Sequence, residues 1–489
     1  MTPTFARARQ PRGGVPTGLR LALALAIPFI GAITVIGIYL NKEFIVAAAW
    51  VAFSVAAAVL VYPLIGLIAM TAGYLLAAYP TVLQSLGVLT INNLLGLGLA
   101  AVAASYVVTT RDLSFLTVRQ VILMVVIGLL LVLSTAHAGV IFPLLQQSQS
   151  LGVKGKFLDR TSDMMHDFWT RIIYLIFFCI FVRSRRDIAA MLMTFMLVLF
   201  LAVPSALLNW EQGNLSHGFR AAASFTAGAN ANRLAMIALM EVTCWWLWLK
   251  ARPSLFRWVI ALGAVGGSVL VVLASGSRSG LLGGFLLAVV LQIGPKRYRI
   301  STGQIAAGLL ACAIAVTTIV PPEAWQRMLT YSSDREDIGG TSVIKREDTL
   351  VVGTKMIQDY PIWGVGLGNF REVARQVYLD PYFRPPHNSY MWAASEGGLL
   401  VFVAYLVLFT VTWFDLRRIN QLLPRDPASS HLAVALRINF ILYSFFAAFA
   451  DLWLNPITYV LVGLIIATRQ YLERLPAATA PVTVLARAA

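Results

Sequence analysis

Long apolar segments are the feature that most constrains this chain. A transmembrane helix needs about 20 mostly apolar residues. Candidate segments lie near 19–40, 44–61, 63–79, 91–108, 119–136, 168–182, 188–208, 230–249, 255–274, 278–293, 304–320, 390–413, 433–450 and 455–469. The composition agrees, because 12% of residues are charged against about 25% in soluble domains. The sequence therefore predicts an all-α polytopic membrane protein with about 12 to 14 transmembrane helices.

The chain begins with a basic stretch that leads directly into its first apolar run. That run, 19–40, is longer than a signal-peptide core, and no small-residue cleavage site follows it. We therefore expect a first helix that is retained rather than cleaved.

Positive charge gathers on one side of the predicted helices. The segments 1–20, 109–119, 183–187, 250–257, 294–299, 414–431 and 469–489 hold 21 Lys/Arg and 5 Asp/Glu, which accounts for the whole net charge of +16. Short basic loops stay in the cytoplasm. Both termini are therefore expected to be cytoplasmic, and the basic composition reports topology rather than binding of nucleic acid.

The chain is expected to be organised into five segments. They are a cytoplasmic tail (1–20), a transmembrane bundle (21–320), a periplasmic lid (321–389), C-terminal transmembrane helices (390–470) and a second cytoplasmic tail (471–489). About 70 residues is long for a connection between two helices. Within the lid, 345–360 and 371–378 have the pattern of helices at a membrane surface. A site between lid and bundle is the natural expectation.

His387 is one of only five histidines, and it stands at the start of a predicted helix. Pro385 and Pro386 prevent the helix from extending backwards, while Asn388 or Ser389 can cap it. The positive end of the helix dipole favours a neutral imidazole, which can accept a proton as a general base must. The alternative is an interfacial histidine with one ordinary hydrogen bond.

Three arginines are expected on the same outer side. Arg278 lies in LASGSRSGLLGG (273–284), a tight turn whose glycines and serines leave room for a ligand. The alternative interpretation is an arginine at a helix end whose side chain extends to the membrane surface. Arg220 lies in a polar loop, and Arg346 opens the lid helix, where a solvated surface charge is the default interpretation. Arginine forks and helix N-termini bind phosphates. Together, these three arginines and the nearby helix N-termini suit an anionic lipid, such as a lipid diphosphate, as the ligand.

Other polar residues in or near the spans have simpler interpretations. Asn230 and Asn232 stand at a helix entrance, where capping is expected. Glu396 follows His387 by nine residues, about 900° of helix, so the two face opposite sides and Glu396 is expected to tie its helix to a neighbour. Asp451 ends a span and could pair with an arginine.

The sequence offers little sign of a metal or nucleotide cofactor. No D-x-D triplet occurs, and Cys179, Cys244 and Cys312 fall within predicted spans with no metal-ligand spacing. GVGLG (364–368) lacks the strand–helix context of a dinucleotide site, so tight loop packing explains its glycines better. We therefore expect neither a metal nor a cofactor.

An anion transporter is the main alternative to an enzyme. It predicts polar residues spread along several spans, whereas the charges here gather near the outer helix ends. A structural scaffold would not need outward-facing arginines at helix mouths.

Four motifs, in order, resemble the O-antigen ligase and polymerase superfamily. They are GFRAAASFTAGANANRLA (218–235), GSRSG (276–280), DYPIWGVGLGNF (359–370) and HNSYMWAASEGG (387–398). The resemblance covers roughly residues 200–420.

The resemblance implies a glycosyltransferase of the GT-C type in the bacterial inner membrane, with its site facing the periplasm. The donor would be O-antigen on undecaprenyl diphosphate, and the acceptor a hydroxyl of lipid A–core, without metal or nucleotide. His387 would be the general base, with Arg220, Arg278 and Arg346 on the diphosphate.

Supporting positions would be Asn230, Asn232, Asn388, Tyr390 and Glu396. A polymerase, which extends a lipid-linked glycan, and a protein O-oligosaccharyltransferase share these motifs and remain open, although the size of the lid and the C-terminal helices favour a ligase.

Overall fold

The regular structure of this chain is helical throughout the part that can be described. The computed structural model describes residues 57, 59–76, 91–142, 156–213, 221, 223, 230–320, 340–380 and 384–476. Within these ranges no strand occurs, and fifteen α-helices are joined by turns and short 3₁₀ segments. The predicted N-terminal tail, the span at 19–40, Arg220 and the beginning of the lid lie outside the described residues.

The helices follow in this order: α1 (Pro63–Leu76), α2 (Ile91–Thr110), α3 (Arg119–Ile141), α4 (Lys156–Phe181), α5 (Arg185–Phe200), α6 (Ala202–Glu211), α7 (Ala231–Ala251), α8 (Leu255–Ala274), α9 (Arg278–Ile293), α10 (Thr302–Thr318), α11 (Gly340–Asp359), α12 (Phe370–Gln376), α13 (Ser389–Leu422), α14 (Ser430–Phe446) and α15 (Pro456–Arg474). Among the described residues, those up to 70 together with 91–111 form one compact unit, and 71–76 together with those from 112 to 476 form another. The site described below lies within the second unit.

Eight of the described helical segments are long and apolar enough to cross a membrane, and three shorter apolar helices accompany them. The all-α polytopic membrane protein expected from the sequence is therefore confirmed. The count of 12 to 14 spans concerns the whole chain and stays a prediction.

Helix α7 is the centre of the second unit. Most of its side chains are buried, and it packs against α5, α8, α9 and α14. By contrast, α10 has no buried residue, as suits a helix that lies at the lipid-facing periphery. The two ends of α7 therefore mark two positions at which several helices of the second unit meet.

Helix α13 joins the lid to the bundle, and it is sharply kinked. Gly398 has φ +73° and ψ 180° inside the helix, and the loop 364–368 inserts at this break. Gly364 has φ +67°, and a Cβ there would lie 2.5 Å from the Gly398 nitrogen. The Gly366 nitrogen donates to the Glu396 carbonyl at 2.9 Å. The prediction that these glycines serve tight packing is confirmed.

Both helices predicted within the lid are present. The segment 345–360 falls in α11 and 371–378 largely in α12. Helix α11 packs against α13, and α12 contacts both. The described part of the lid is thus attached to the helix that begins beside His387.

Candidate active site

His387 stands immediately before α13 in an uncommon backbone conformation. Its φ is +48°, a region that non-glycine residues seldom occupy. Asn388 caps the helix, since its side chain accepts hydrogen bonds from the Tyr390 and Met391 nitrogens at 3.0 and 3.1 Å. The predicted cap is confirmed, and the histidine is left outside the helix. Strained residues of this kind concentrate at functional sites.

The imidazole of His387 is paired with a carboxylate. Its Nδ1 lies 3.0 Å from Asp451 Oδ2, and the side chains are 26% and 21% exposed. A carboxylate at Nδ1 favours the tautomer in which Nδ1 carries the proton and donates, so that Nε2 holds a free lone pair. The pair is thus arranged to accept a proton at Nε2, with the carboxylate placed to stabilise the resulting imidazolium.

A buried serine holds the two members of this pair together. Ser389 Oγ donates to the Ala450 carbonyl at 2.7 Å and accepts from the Leu452 nitrogen at 2.8 Å. Its backbone nitrogen donates to the Ala447 carbonyl at 2.7 Å. These bonds join the start of α13 to the segment on either side of Asp451, so the position of the carboxylate is fixed by the residue two places after the histidine.

Arg346, on α11, lies close to this pair rather than on an open surface. Burial lowers the pKa of its guanidinium, the positive charges of Arg278 and Arg384 lower it further, and the carboxylate of Asp451 opposes them. The default interpretation of Arg346 as a solvated surface charge was therefore wrong. The sequence placed Arg346 at the start of a helix over 345–360, whereas α11 begins at Gly340. Tertiary packing brings Arg346 near Arg278, Arg384 and Asp451.

Arg278 is the first residue of α9, and its turn is tied to the same end of the bundle. Ser277 caps α9 by accepting from the Gly280 nitrogen at 3.1 Å, and it donates to Asn232 Oδ1 at 2.8 Å. Asn232 Nδ2 in turn donates to the Phe449 carbonyl at 3.2 Å. Asn232 thus connects the arginine turn to the segment that carries Asp451.

A fourth cation lies on α7. Asn230 caps this helix through the Asn232 and Arg233 nitrogens, as expected of a polar helix entrance. Arg233 interacts electrostatically with Asp451. The predicted pairing of Asp451 with an arginine is therefore correct in part, because its direct hydrogen-bond partner is His387 and the arginines act on it through their charge.

Two predicted supporting residues act elsewhere. Glu396 is buried, and its Oε1 accepts from the Phe370 nitrogen at 3.1 Å, so it ties α13 to α12 as the sequence predicted. Tyr390 Oη donates to the Ser444 carbonyl at 2.9 Å, which fastens α13 to α14. Both residues position the helix of His387, and neither bond involves the histidine.

The structure thus gathers His387, Asp451, Arg278, Arg346 and Arg384 at one end of the second unit. Sequence reasoning missed the pairing of His387 with Asp451 and did not single out Arg384, although that arginine stands three residues before the histidine. Among the residues that the structure describes, no group of three or more His, Cys, Asp or Glu side chains could hold a metal ion.

The fold and this site define a polytopic all-α membrane protein with a carboxylate-oriented histidine among arginines. Residues 263–406 match the family model described as O-antigen ligase, and this segment contains Arg278, Arg346 and His387. Over that segment the chain is therefore similar to the O-antigen ligase family. No curated protein matches the chain.

Proposed function

We propose that this protein is an O-antigen ligase of the bacterial inner membrane, with both termini in the cytoplasm and its site facing the periplasm. It would transfer polysaccharide from undecaprenyl diphosphate to a sugar hydroxyl of lipid A–core. The observation that carries the proposal is the His387–Asp451 pair beside Arg278 and Arg346, because one group can take a proton from a hydroxyl while the others neutralise a diphosphate.

His387 is the general base in the proposed reaction. In the proposed reaction, Nε2 removes the proton from the acceptor hydroxyl as its oxygen forms a bond to the anomeric carbon. The bond from that carbon to the diphosphate oxygen breaks with inversion, and the electron pair leaves with the diphosphate. Asp451, 3.0 Å from Nδ1, stabilises the imidazolium until the proton passes to solvent.

The arginines would bind and stabilise the leaving diphosphate. Arg346 is held where burial and the charges of Arg278 and Arg384 disfavour its cation, and an anion bound among them would relieve that repulsion. Guanidinium groups bind phosphate oxygens in a bidentate manner, and the stabilisation increases as negative charge develops on the leaving group. Arg220 is proposed from the sequence motif as a further diphosphate contact. The arrangement supplies the positive charge that such a leaving group requires.

Reconstitution of the reaction tests the proposal. Purified full-length protein in detergent would receive lipid-linked O-antigen and lipid A–core, and the glycan products would be separated on a gel. A ligase moves glycan onto lipid A–core. Lengthening of the lipid-linked glycan while lipid A–core stays unmodified would identify a polymerase and contradict the proposed acceptor.

A further inference from the structure

A second cluster of arginines lines a cavity at the opposite end of the bundle from His387. Helix α7 begins at Ala231, next to Asn232, which bonds to the Phe449 carbonyl two residues before Asp451. It ends at Ala251, and 21 residues of helix span about 30 Å. The cavity lies around this far end, between α7, the start of α8 and the start of α14. Its volume is about 490 Å³, which is within the range of small-ligand sites.

The lining of this cavity is strongly basic. Arg185, Arg252, Arg257 and Arg297 contribute to it together with His431, and three of these arginines interact electrostatically with the histidine. None of the described residues that line the cavity is Asp or Glu. Basic residues are common at a cytoplasmic membrane surface, but four arginines that share one cavity exceed what topology alone requires.

Two of the guanidinium groups are held in place by the protein. Arg257 Nη1 donates to the Trp248 carbonyl at 3.0 Å, and Arg257 Cζ lies 4.5 Å from the centre of the Trp248 ring. Arg297 Nη2 donates to the Ala251 carbonyl at 3.2 Å. A guanidinium has five N–H donors, so these bonds orient the groups while further donors remain for an anion.

One carboxylate, Asp426, pairs with an arginine of the cavity. Arg185 forms an ion pair with Asp426 at 3.2 Å, and Asp426 also accepts from Ser429 Oγ and Tyr471 Oη. These hydrogen bonds and Arg185 lower the pKa of Asp426 despite its partial burial. Asp426 therefore offsets Arg185, and because no Asp or Glu is among the described residues that line the cavity, its lining retains a net positive charge.

Apolar side chains flank the entrance on α8. Leu255 and Phe256 are 82% and 70% exposed, immediately before Arg257. In a membrane-spanning bundle, exposed apolar residues of this kind face lipid tails, and basic pockets between helices on the cytoplasmic side suit anionic lipid head groups.

We propose that this pocket binds a phosphate group, which the flanking apolar residues indicate is the head group of an anionic membrane lipid. Arg252, Arg257 and Arg297 would bind the phosphate oxygens, with the acyl chains beside Leu255 and Phe256. This pocket is separate from the histidine site, so the proposal of a lipid site can be tested independently of the proposed ligase reaction.

The test compares two double variants of equal charge. Arg252→Gln with Arg297→Gln removes two pocket cations, whereas Arg186→Gln with Arg299→Gln removes two exposed cations at the same end that do not line the cavity. The unfolding temperature of the purified full-length protein would be measured in neutral detergent. The probes would be phosphatidylglycerol against phosphatidylcholine, and inorganic phosphate against chloride at equal ionic strength. Each shift is taken relative to the same variant without probe, so a less stable variant remains informative.

We expect phosphatidylglycerol to raise the unfolding temperature of the wild type and of the control variant. The pocket variant should need about 10-fold more lipid for the same shift, because it lacks two charge-assisted donors. If inorganic phosphate alone gives the selective shift, the ligand is a free phosphate and the lipid assignment is wrong. If both variants respond to both probes as the wild type does, the pocket is not an anion site.

Discussion

His387 and Asp451 are 64 positions apart in the chain, yet Nδ1 of the histidine lies 3.0 Å from Oδ2 of the aspartate. This contact fixes which nitrogen of the imidazole is available as a base. It also joins the lid side of the chain, through the start of α13, to the segment between α14 and α15. The proposed chemistry depends on this one relationship more than on any other.

Replacement of Asp451 by Asn should preserve the shape of the pair and remove its charge. We expect the transfer rate at saturating donor to fall at least about 100-fold, since general-base catalysis contributes that much, while the KM for the donor changes little. Single-turnover kinetics would measure this. Asp163→Asn, at an exposed carboxylate on α4, is the matched control and should transfer at the wild-type rate. A similar loss of donor affinity in Asp451→Asn would show that the carboxylate acts in binding instead.

Arg278→Lys keeps the charge at the start of α9 and removes the planar guanidinium fork. A lysine ammonium cannot bind two phosphate oxygens in the bidentate geometry, so we expect at least about a 10-fold loss of transfer, one tenfold step being about 1.4 kcal/mol. The measurement is initial rate against donor concentration, with Arg183→Lys at the opposite end of the bundle as the control. Near-normal turnover by Arg278→Lys would count against bidentate binding of the diphosphate.

Arg346→Met should separate stability from activity. Burial and the charges of Arg278 and Arg384 lower the pKa of Arg346, which means that the folded protein holds this cation at a cost. A methionine removes that cost, so we expect an unfolding free energy equal to or about 1 kcal/mol above that of the wild type, together with loss of transfer.

The sign of the pKa shift also predicts how this gain depends on pH. A lowered folded-state pKa makes the cation unfavourable wherever it is protonated, and arginine stays protonated well above neutral pH. The gain in Arg346→Met should therefore be the same at pH 6 and pH 9. Lys355→Met, at an exposed position on the same helix, should give no gain. Marked destabilisation by Arg346→Met would show that the arginine is a structural residue.

Gly398→Ala tests the junction between the lid loop and α13. The glycine has φ +73°, and an added Cβ would collide with the Ile362 carbonyl. We expect a loss of about 2–4 kcal/mol in unfolding free energy from strain and overpacking combined. Gly213→Ala has the same φ of +73° but open space, so it should lose only about 1 kcal/mol. Equal losses in the two variants would mean that the collision is relieved by movement of the loop.

Local sequence signals predicted the parts of the site that depend on local physics. Two prolines and an asparagine fixed where α13 begins and left His387 before it. The nine-residue spacing correctly separated Glu396 from the histidine and pointed to a partner on another element, which proved to be the Phe370 nitrogen. Helix periodicity and capping are short-range properties, so they can be read from a single sequence.

The remaining features depend on tertiary packing. The partner of His387 is set by hydrogen bonds of Ser389 to a segment about 60 residues away, and no pattern in the sequence records them. Arg346 lies in the lid helix, where exposure was the default interpretation, but its electrostatic interaction with Arg278 and Asp451 depends on how α11 packs on α13. Burial of a single polar residue is decided by the neighbours that the fold supplies.

The most direct test of the proposed role of His387 is transfer by His387→Gly. The histidine has φ +48°, a conformation that glycine adopts without strain. This variant therefore removes the imidazole and leaves the backbone unstrained. In single-turnover assays with lipid-linked O-antigen and lipid A–core, we expect transfer to be lost and to be partly restored by added imidazole, while His166→Gly on α4 stays active. Transfer by His387→Gly at the wild-type rate would contradict the assignment of His387 as the general base.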